Sequence, residues 1–191
     1  MIFHTRSIPF GIYHYPHSTD ELARIVMAHE EMILRLESDW KNHDSHSPSS
    51  ARYREYNFLT FPGTKDFKQF LHHTIDDYYR RLNWALPTHR WLQCWVNIHR
   101  EGQHLKPHVH AGCKLSGHLT LACHSTRTTY FNQMTLDIEN EPGLMTLIGR
   151  EKVPHQTTPV EGKDIRISVA FDVFESSTKI RNHWVRLEAD A

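Results

Sequence analysis

The chain has 191 residues, enough for one domain with a real apolar core. Its 22 lysines and arginines balance its 22 aspartates and glutamates, so no excess charge draws it to nucleic acid or to anionic lipid. No apolar run reaches membrane-spanning length and the start MIFHTRSIPFGIYHYPH has no secretion-signal pattern, so the expectation is a cytoplasmic protein with no membrane and no nucleic-acid partner.

After a short extended N-terminal piece, Ser18-Thr19-Asp20-Glu21 supplies a helix start. Leu22, Ile25, Val26, Ile33 and Leu34 then recur near helical period, which predicts an amphipathic helix up to about Trp40. The polar, serine-rich segment 42–52 reads as a loop, with a plain connector favoured over a substrate lid. Beyond the Pro62-Gly63 turn, Phe67, Phe70, Leu71, Ile75, Tyr78 and Leu82 share one stripe and predict a second helix. His72 and His73 are read as surface residues, and Tyr78 and Tyr79 as core and surface. From Arg90 the pattern changes to β-rich runs: WLQCWVNIHR, GHLTLAC, TTYFNQMTLDI, GLMTLIG and DIRISVAFDVF. Helices ahead of a series of strands imply an α+β, mainly β domain over 1–191, with a helical support region at 1–89 bracing a β core at 90–175 built as a sandwich or barrel.

Cys94, Cys113 and Cys123 are odd in number and form no C-x-x-C pair, so neither a disulfide framework nor a zinc ribbon is indicated. Histidine is the unusual residue: there are 17, and six of them fall between His99 and His124. A metal site needs ligands that converge, and alternation along a strand sends His108 and His110 to one face with Val109 to the other. His155 comes from a distant part of the β region and is the third candidate. Three protein ligands leave coordination positions for a chelating cosubstrate, dioxygen or water, as oxygen-activating iron requires. Arg166 follows eleven positions after His155, with Ser168 two further on along the same strand face. A guanidinium fork and a neighbouring hydroxyl suit a dicarboxylate, and an inward arginine needs an anionic partner.

The segments Trp95-Val96-Asn97-Ile98 to Gly102, His108-Val109-His110, Leu115-Ser116-Gly117, Val153-Pro154-His155 and Arg166-Ile167-Ser168-Val169-Ala170-Phe171 together resemble the 2-oxoglutarate- and Fe(II)-dependent oxygenase family over roughly Trp91 to Val173. The resemblance implies a double-stranded β-helix, Fe(II), 2-oxoglutarate and dioxygen. It also implies release of succinate and CO2 coupled to oxidation, by default hydroxylation, of a small-molecule, amino-acid or peptide substrate. It makes His108 and His155 two metal ligands, Arg166 the residue that binds the distal carboxylate of 2-oxoglutarate, and Ser168 its companion. His110 departs from the pattern, standing where the wider superfamily has aspartate or glutamate; either it ligates and leaves the centre more positive, the reading adopted, or water fills that position. Asn97 and Trp95, one strand earlier, are candidates to line the pocket, Asn97 toward the cosubstrate.

Other readings keep the same histidines. Gly102 followed by His108-x-His110 is similar to a first cupin motif, with Lys114 at its glutamate position, so a three-histidine cupin dioxygenase or isomerase without 2-oxoglutarate is the alternative, and Arg166 discriminates between the two. Zinc hydrolysis ranks lower because there is no H-E-x-x-H helix and no evident general base. His99, His104, His118 and His124 are read as structural or solvated, although His104 and His118 flank the site.

Overall fold

Alternation along the chain builds two antiparallel sheets that face each other. The computed structural model describes residues 9–33, 56–110, 112–123, 125–131, 135–149, 153–175, 181 and 183–187. The larger sheet contains β1 (Phe10–His14), β2 (Arg90–His99), β3 (Leu115–Ala122), β6 (Leu144–Gly149), β8 (Arg166–Phe174) and β9 (Val185–Leu187), in the order β1-β6-β3-β8-β2-β9. The smaller holds β4 (Arg127–Phe131), β5 (Thr135–Glu139) and β7 (His155–Thr157), in the order β5-β4-β7. All pairings within both sheets are antiparallel. β1 and β9 lie outside the 90–175 span of the expected β core, so the N-terminal region is not helical alone.

Register divides the residues of the larger sheet between two environments. Asn97 and Thr120 both pair with Ser168, His118 pairs with Ala170, and Ser116 pairs with Asp172, so these residues share one face. The intervening positions, Val96, Ile98, Leu119, Val169, Phe171 and Val173, face the other way into the main apolar core. Two helices cover that apolar face: α1 (Asp20–Ala28) and α2 (Lys65–Arg81). Val26, Phe67, Leu71, Ile75 and Tyr79 are fully buried there, and each such side chain contributes on the order of 1.5–3 kcal/mol. Gly117 is obligatory within this packing, because a Cβ would press on the Thr146 carbonyl oxygen and lie 2.7 Å from Cζ of Phe171.

Both helices differ in detail from their sequence patterns. Thr19 stands at the N-cap of α1, but its hydroxyl donates to the Leu121 carbonyl at 2.8 Å and so ties the helix start to β3 instead of capping it. α1 ends at Ala28 because the His29 ring donates from Nδ1 to the Ile25 carbonyl while its backbone N–H turns to Val26. Helical structure resumes over 30–33; residues 34–40 of the expected helix and the loop 42–52 lie outside the described residues. Tyr79, expected at the surface, is buried: its hydroxyl donates to Oε1 of Glu175 at 2.6 Å. His72 is also no simple surface residue, since it sits 3.1 Å from Arg90, itself ion-paired with Asp76. The run TTYFNQMTLDI is a hairpin, not one strand, with β4 and β5 paired from Arg127↔Glu139 to Phe131↔Thr135.

Candidate metal centre

The centre forms where the chain crosses from one sheet to the other. His155 opens β7, and His108 joins it through an isolated antiparallel bridge with N–H···O bonds of 3.0 Å in both directions. A reciprocally bonded pair puts both side chains on one face, and that closes a gap of 47 residues. The segment carrying His108 and His110 belongs to no named strand, yet alternation survives, with Val109 39% exposed between two imidazoles turned toward His155. One ligand atom from each of His108, His110 and His155 lies within 4.8 Å of the others. The ring centroids are 4.3 Å apart for His108 and His155, 5.1 Å for His110 and His155, and 5.4 Å for His108 and His110.

Hydrogen bonding decides which nitrogen each ring offers. Nδ1 of His108 meets the Lys106 carbonyl at 2.8 Å, and Nδ1 of His155 meets the Val153 carbonyl at 3.0 Å. Nδ1 of His110 meets Oδ1 of Asp172 at 2.6 Å. A carbonyl can only accept and an ionised carboxylate does the same, so each Nδ1 carries the proton and each Nε2 of a neutral ring keeps a lone pair. Three such Nε2 atoms form a donor set suited to a divalent transition metal. Burial, reinforced by repulsion from the His108 and His110 rings, brings the His155 imidazole down to about 2, which keeps it neutral.

Behind the histidines the interior is polar. Tyr130 of β4 stacks on His155 with centroids 5.4 Å apart. Its hydroxyl lies 2.8 Å from Oγ1 of Thr146 and 3.4 Å from Nδ1 of His118. His118 and Thr146 are 3.0 Å apart. Arg166 opens β8 and is 1% exposed, with Nη1 3.2 Å from Nδ1 of His99 and its Nε without a hydrogen-bond partner among the described residues. Burial lowers this guanidinium from 12.5 to about 10, and burial followed by the Arg166 charge lowers His118 to about 3. Ser168 and Asn97 are buried on the same face, with Nδ2 of Asn97 donating to the Ser168 hydroxyl at 3.3 Å. Thr120, paired with Ser168, keeps a buried hydroxyl that makes no hydrogen bond to the described residues. A buried guanidinium and unmet polar atoms around it are groups that an organic anion would satisfy.

The structure therefore brings His108, His110 and His155 together, and it places Arg166, Ser168 and Asn97 on the polar inner face. Trp95 packs beside His110, with ring centroids 5.5 Å apart. His104 is half-buried, its Nδ1 3.4 Å from the Gly102 carbonyl. His124 lies outside the described residues. Sequence reasoning did not single out Tyr130, Thr146, Thr120 or Asp172. Asp172 carried a signal, since continuing the alternation of Arg166 and Ser168 reaches it on the same face. Tyr130 and Thr146 carried none, because only the sheet register brings them to His118.

Two facing antiparallel sheets with a polar interior and three convergent imidazoles at the mouth define a double-stranded β-helix with a site that a divalent metal fits. No protein-family model and no curated protein matches the sequence. Among solved structures the chain is similar to a prolyl-4-hydroxylase of Pseudomonas putida, with TM-score 0.60 and 13% identity over 89% of this chain and 94% of that one. It is similar also to a prolyl hydroxylase of Trichoplax adhaerens in complex with a hypoxia inducible factor peptide fragment, with TM-score 0.63 and 14% identity over 87% and 83% of the two chains. A third is the non-heme monooxygenase ThoJ in its nickel complex, with TM-score 0.55 and 16% identity over 95% and 80%. At these identities the likeness is one of fold.

Proposed function

We propose that this protein is an Fe(II)- and 2-oxoglutarate-dependent oxygenase that hydroxylates a small-molecule, amino-acid or peptide substrate. His108, His110 and His155 would hold the metal through Nε2, and Arg166, with Ser168 and Asn97 beside it, would take the distal carboxylate of 2-oxoglutarate. The observation that carries the reading is Arg166: a fully buried guanidinium whose Nε has no partner among the described residues, on the same polar face as the neighbours of the histidines. An always-charged group in that setting is costly without an anion, and a carboxylate offers it a bidentate match. When bound, iron and 2-oxoglutarate supply the oxidising chemistry: one atom of dioxygen goes to succinate as CO2 leaves, and the other goes to the substrate.

The protein's own residues do the rest. The carbonyls of Lys106 and Val153 and the Asp172 carboxylate fix the three rings. Tyr130, stacked on His155 and bonded to Thr146, walls the interior between the histidines and His118. Substrate would enter by the cleft beside His110, whose walls include Cys113, Lys114, Ser116, Ile148 and Val153. The Trichoplax adhaerens structure, which holds a peptide on the same fold, supports a substrate of that size or smaller.

Anaerobic addition of Fe(II) and then 2-oxoglutarate tests the reading. A weak visible charge-transfer band is expected from the wild type, with none from Arg166→Ala or His155→Ala. Iron binding with no response to 2-oxoglutarate would instead support the three-histidine cupin chemistry.

A further inference from the structure

The three ring anchors are not equivalent. Lys106 and Val153 offer neutral backbone carbonyls to His108 and His155, whereas His110 meets a carboxylate at 2.6 Å, shorter than either of the other two contacts. That carboxylate belongs to Asp172, whose side chain is 0% exposed, and the His110 side chain beside it is 6% exposed. Asp172 lies on β8, which is paired on both sides by β2 and β3, and it shares a face with Ser168 and Arg166. His110, by contrast, lies in a segment outside every named strand, while His108 is pinned by its two backbone bonds to His155. A ligand on an irregular segment needs a rigid reference, and the central strand supplies one.

We propose that Asp172 is the positioning residue for His110: its carboxylate holds the ring in the Nδ1–H form, aims Nε2 at the metal, and lends the ligand negative charge through the imidazole. The proposal rests on the reading of the three histidines as metal ligands. A carboxylate donating electron density through a ligating histidine raises its basicity and fixes its orientation. It would also give a centre of three neutral imidazoles a negative charge one hydrogen bond beyond the His110 ring, so that divalent metal is held without an acidic residue among the ligands. The buried carboxylate gains in turn, because the metal's charge reaches it through the shared proton.

The test uses Co(II) alone, titrated into the metal-free full chain with no 2-oxoglutarate present. Asp172→Asn keeps an oxygen acceptor and the shape of the side chain but removes the charge, and it is expected to weaken Co(II) binding by about 10–100-fold. In a His110→Ala background the same substitution is expected to change nothing further, because its effect runs through His110. The proton NMR spectrum of the Co(II) protein in water gives a second readout: the shifted, exchangeable ring N–H of His110 should move or disappear in Asp172→Ala, while those of His108 and His155 stay. Wild-type Co(II) affinity in Asp172→Asn would overturn the proposal, as would an equal loss with and without His110, which would mark a merely structural carboxylate. A failed 2-oxoglutarate band leaves the Co(II) result standing, so the two readings fail separately; a wild type that binds no Co(II) would overturn both.

Discussion

Replacing Arg166 with methionine separates the cost of the guanidinium from its use. The side chain is buried, its Nε has no partner among the described residues, and burial lowers it from 12.5 to about 10. At about 1.4 kcal/mol per pKa unit, that depression is a penalty of about 3 kcal/mol on the charged form in the ligand-free protein. Methionine removes the charge and fills much of the same space, losing some packing in return, so a net gain of about 1–2 kcal/mol is expected. For a chain of this length each kcal/mol moves Tm by about 2–4 °C, so metal-free Arg166→Met should melt about 2–8 °C above the wild type. The response to ligand should go the other way. With metal present, 2-oxoglutarate at about 100 times its Kd would stabilise the wild type by about 2.7 kcal/mol, and the variant should show no such rise. Thermal melts by circular dichroism, with and without metal and 2-oxoglutarate, measure both effects. A variant that melts below the wild type and still responds to 2-oxoglutarate would refute the argument, because Arg166 would then be satisfied within the protein.

His155→Ala removes a ligand and the partner on which Tyr130 stacks, so its loss of Co(II) affinity should exceed the roughly 10–100-fold expected of a supporting residue; isothermal titration with an affinity near wild type would exclude His155 from the centre. Gly117→Ala forces a methyl group against the Thr146 carbonyl and the Phe171 ring, so a loss of about 1–3 kcal/mol is expected in urea denaturation, and an unchanged midpoint would contradict the packing of β3 on β8. The pH dependence of the metal-free protein follows from two buried histidines, His155 and His118, the latter held down to about 3 by burial and Arg166 while its unfolded value is 6.5. At each, the unfolded chain therefore takes up a proton that the folded chain refuses. The stability His118 contributes is intact above pH 6.5 and falls by about 1.4 kcal/mol per pH unit as pH drops from there toward 3. His118→Gln should roughly halve the summed slope of the two histidines between pH 6.5 and 5 in urea titrations, leaving the share of His155, and an unaltered slope would show that His118 is not the buried neutral base described.

Much of the fold class and the composition of the candidate site was legible in the order of the amino acids. β-rich runs from Arg90 onward marked the strands, and the helical stripe ending at Leu82 marked α2. These patterns are local, because the faces of a strand or a helix are set by backbone geometry within a few residues. The same alternation paired His108 with His110 and Arg166 with Ser168, and it reached Asp172 had it been followed further. The rest was non-local. The bridge between His108 and His155, the stacking of Tyr130 on His155, and the meeting of Thr146 with His118 all depend on which strands become neighbours and in what register. That choice depends on burying one apolar face under two helices as a whole, and no single segment encodes it. The interruption at His29 shows the same limit, since a histidine ring that takes the Ile25 carbonyl breaks a helix that resumes over 30–33. The proton positions belong to the tertiary level too: His110 presents Nε2 because a carboxylate 62 residues away in sequence lies 2.6 Å from its Nδ1.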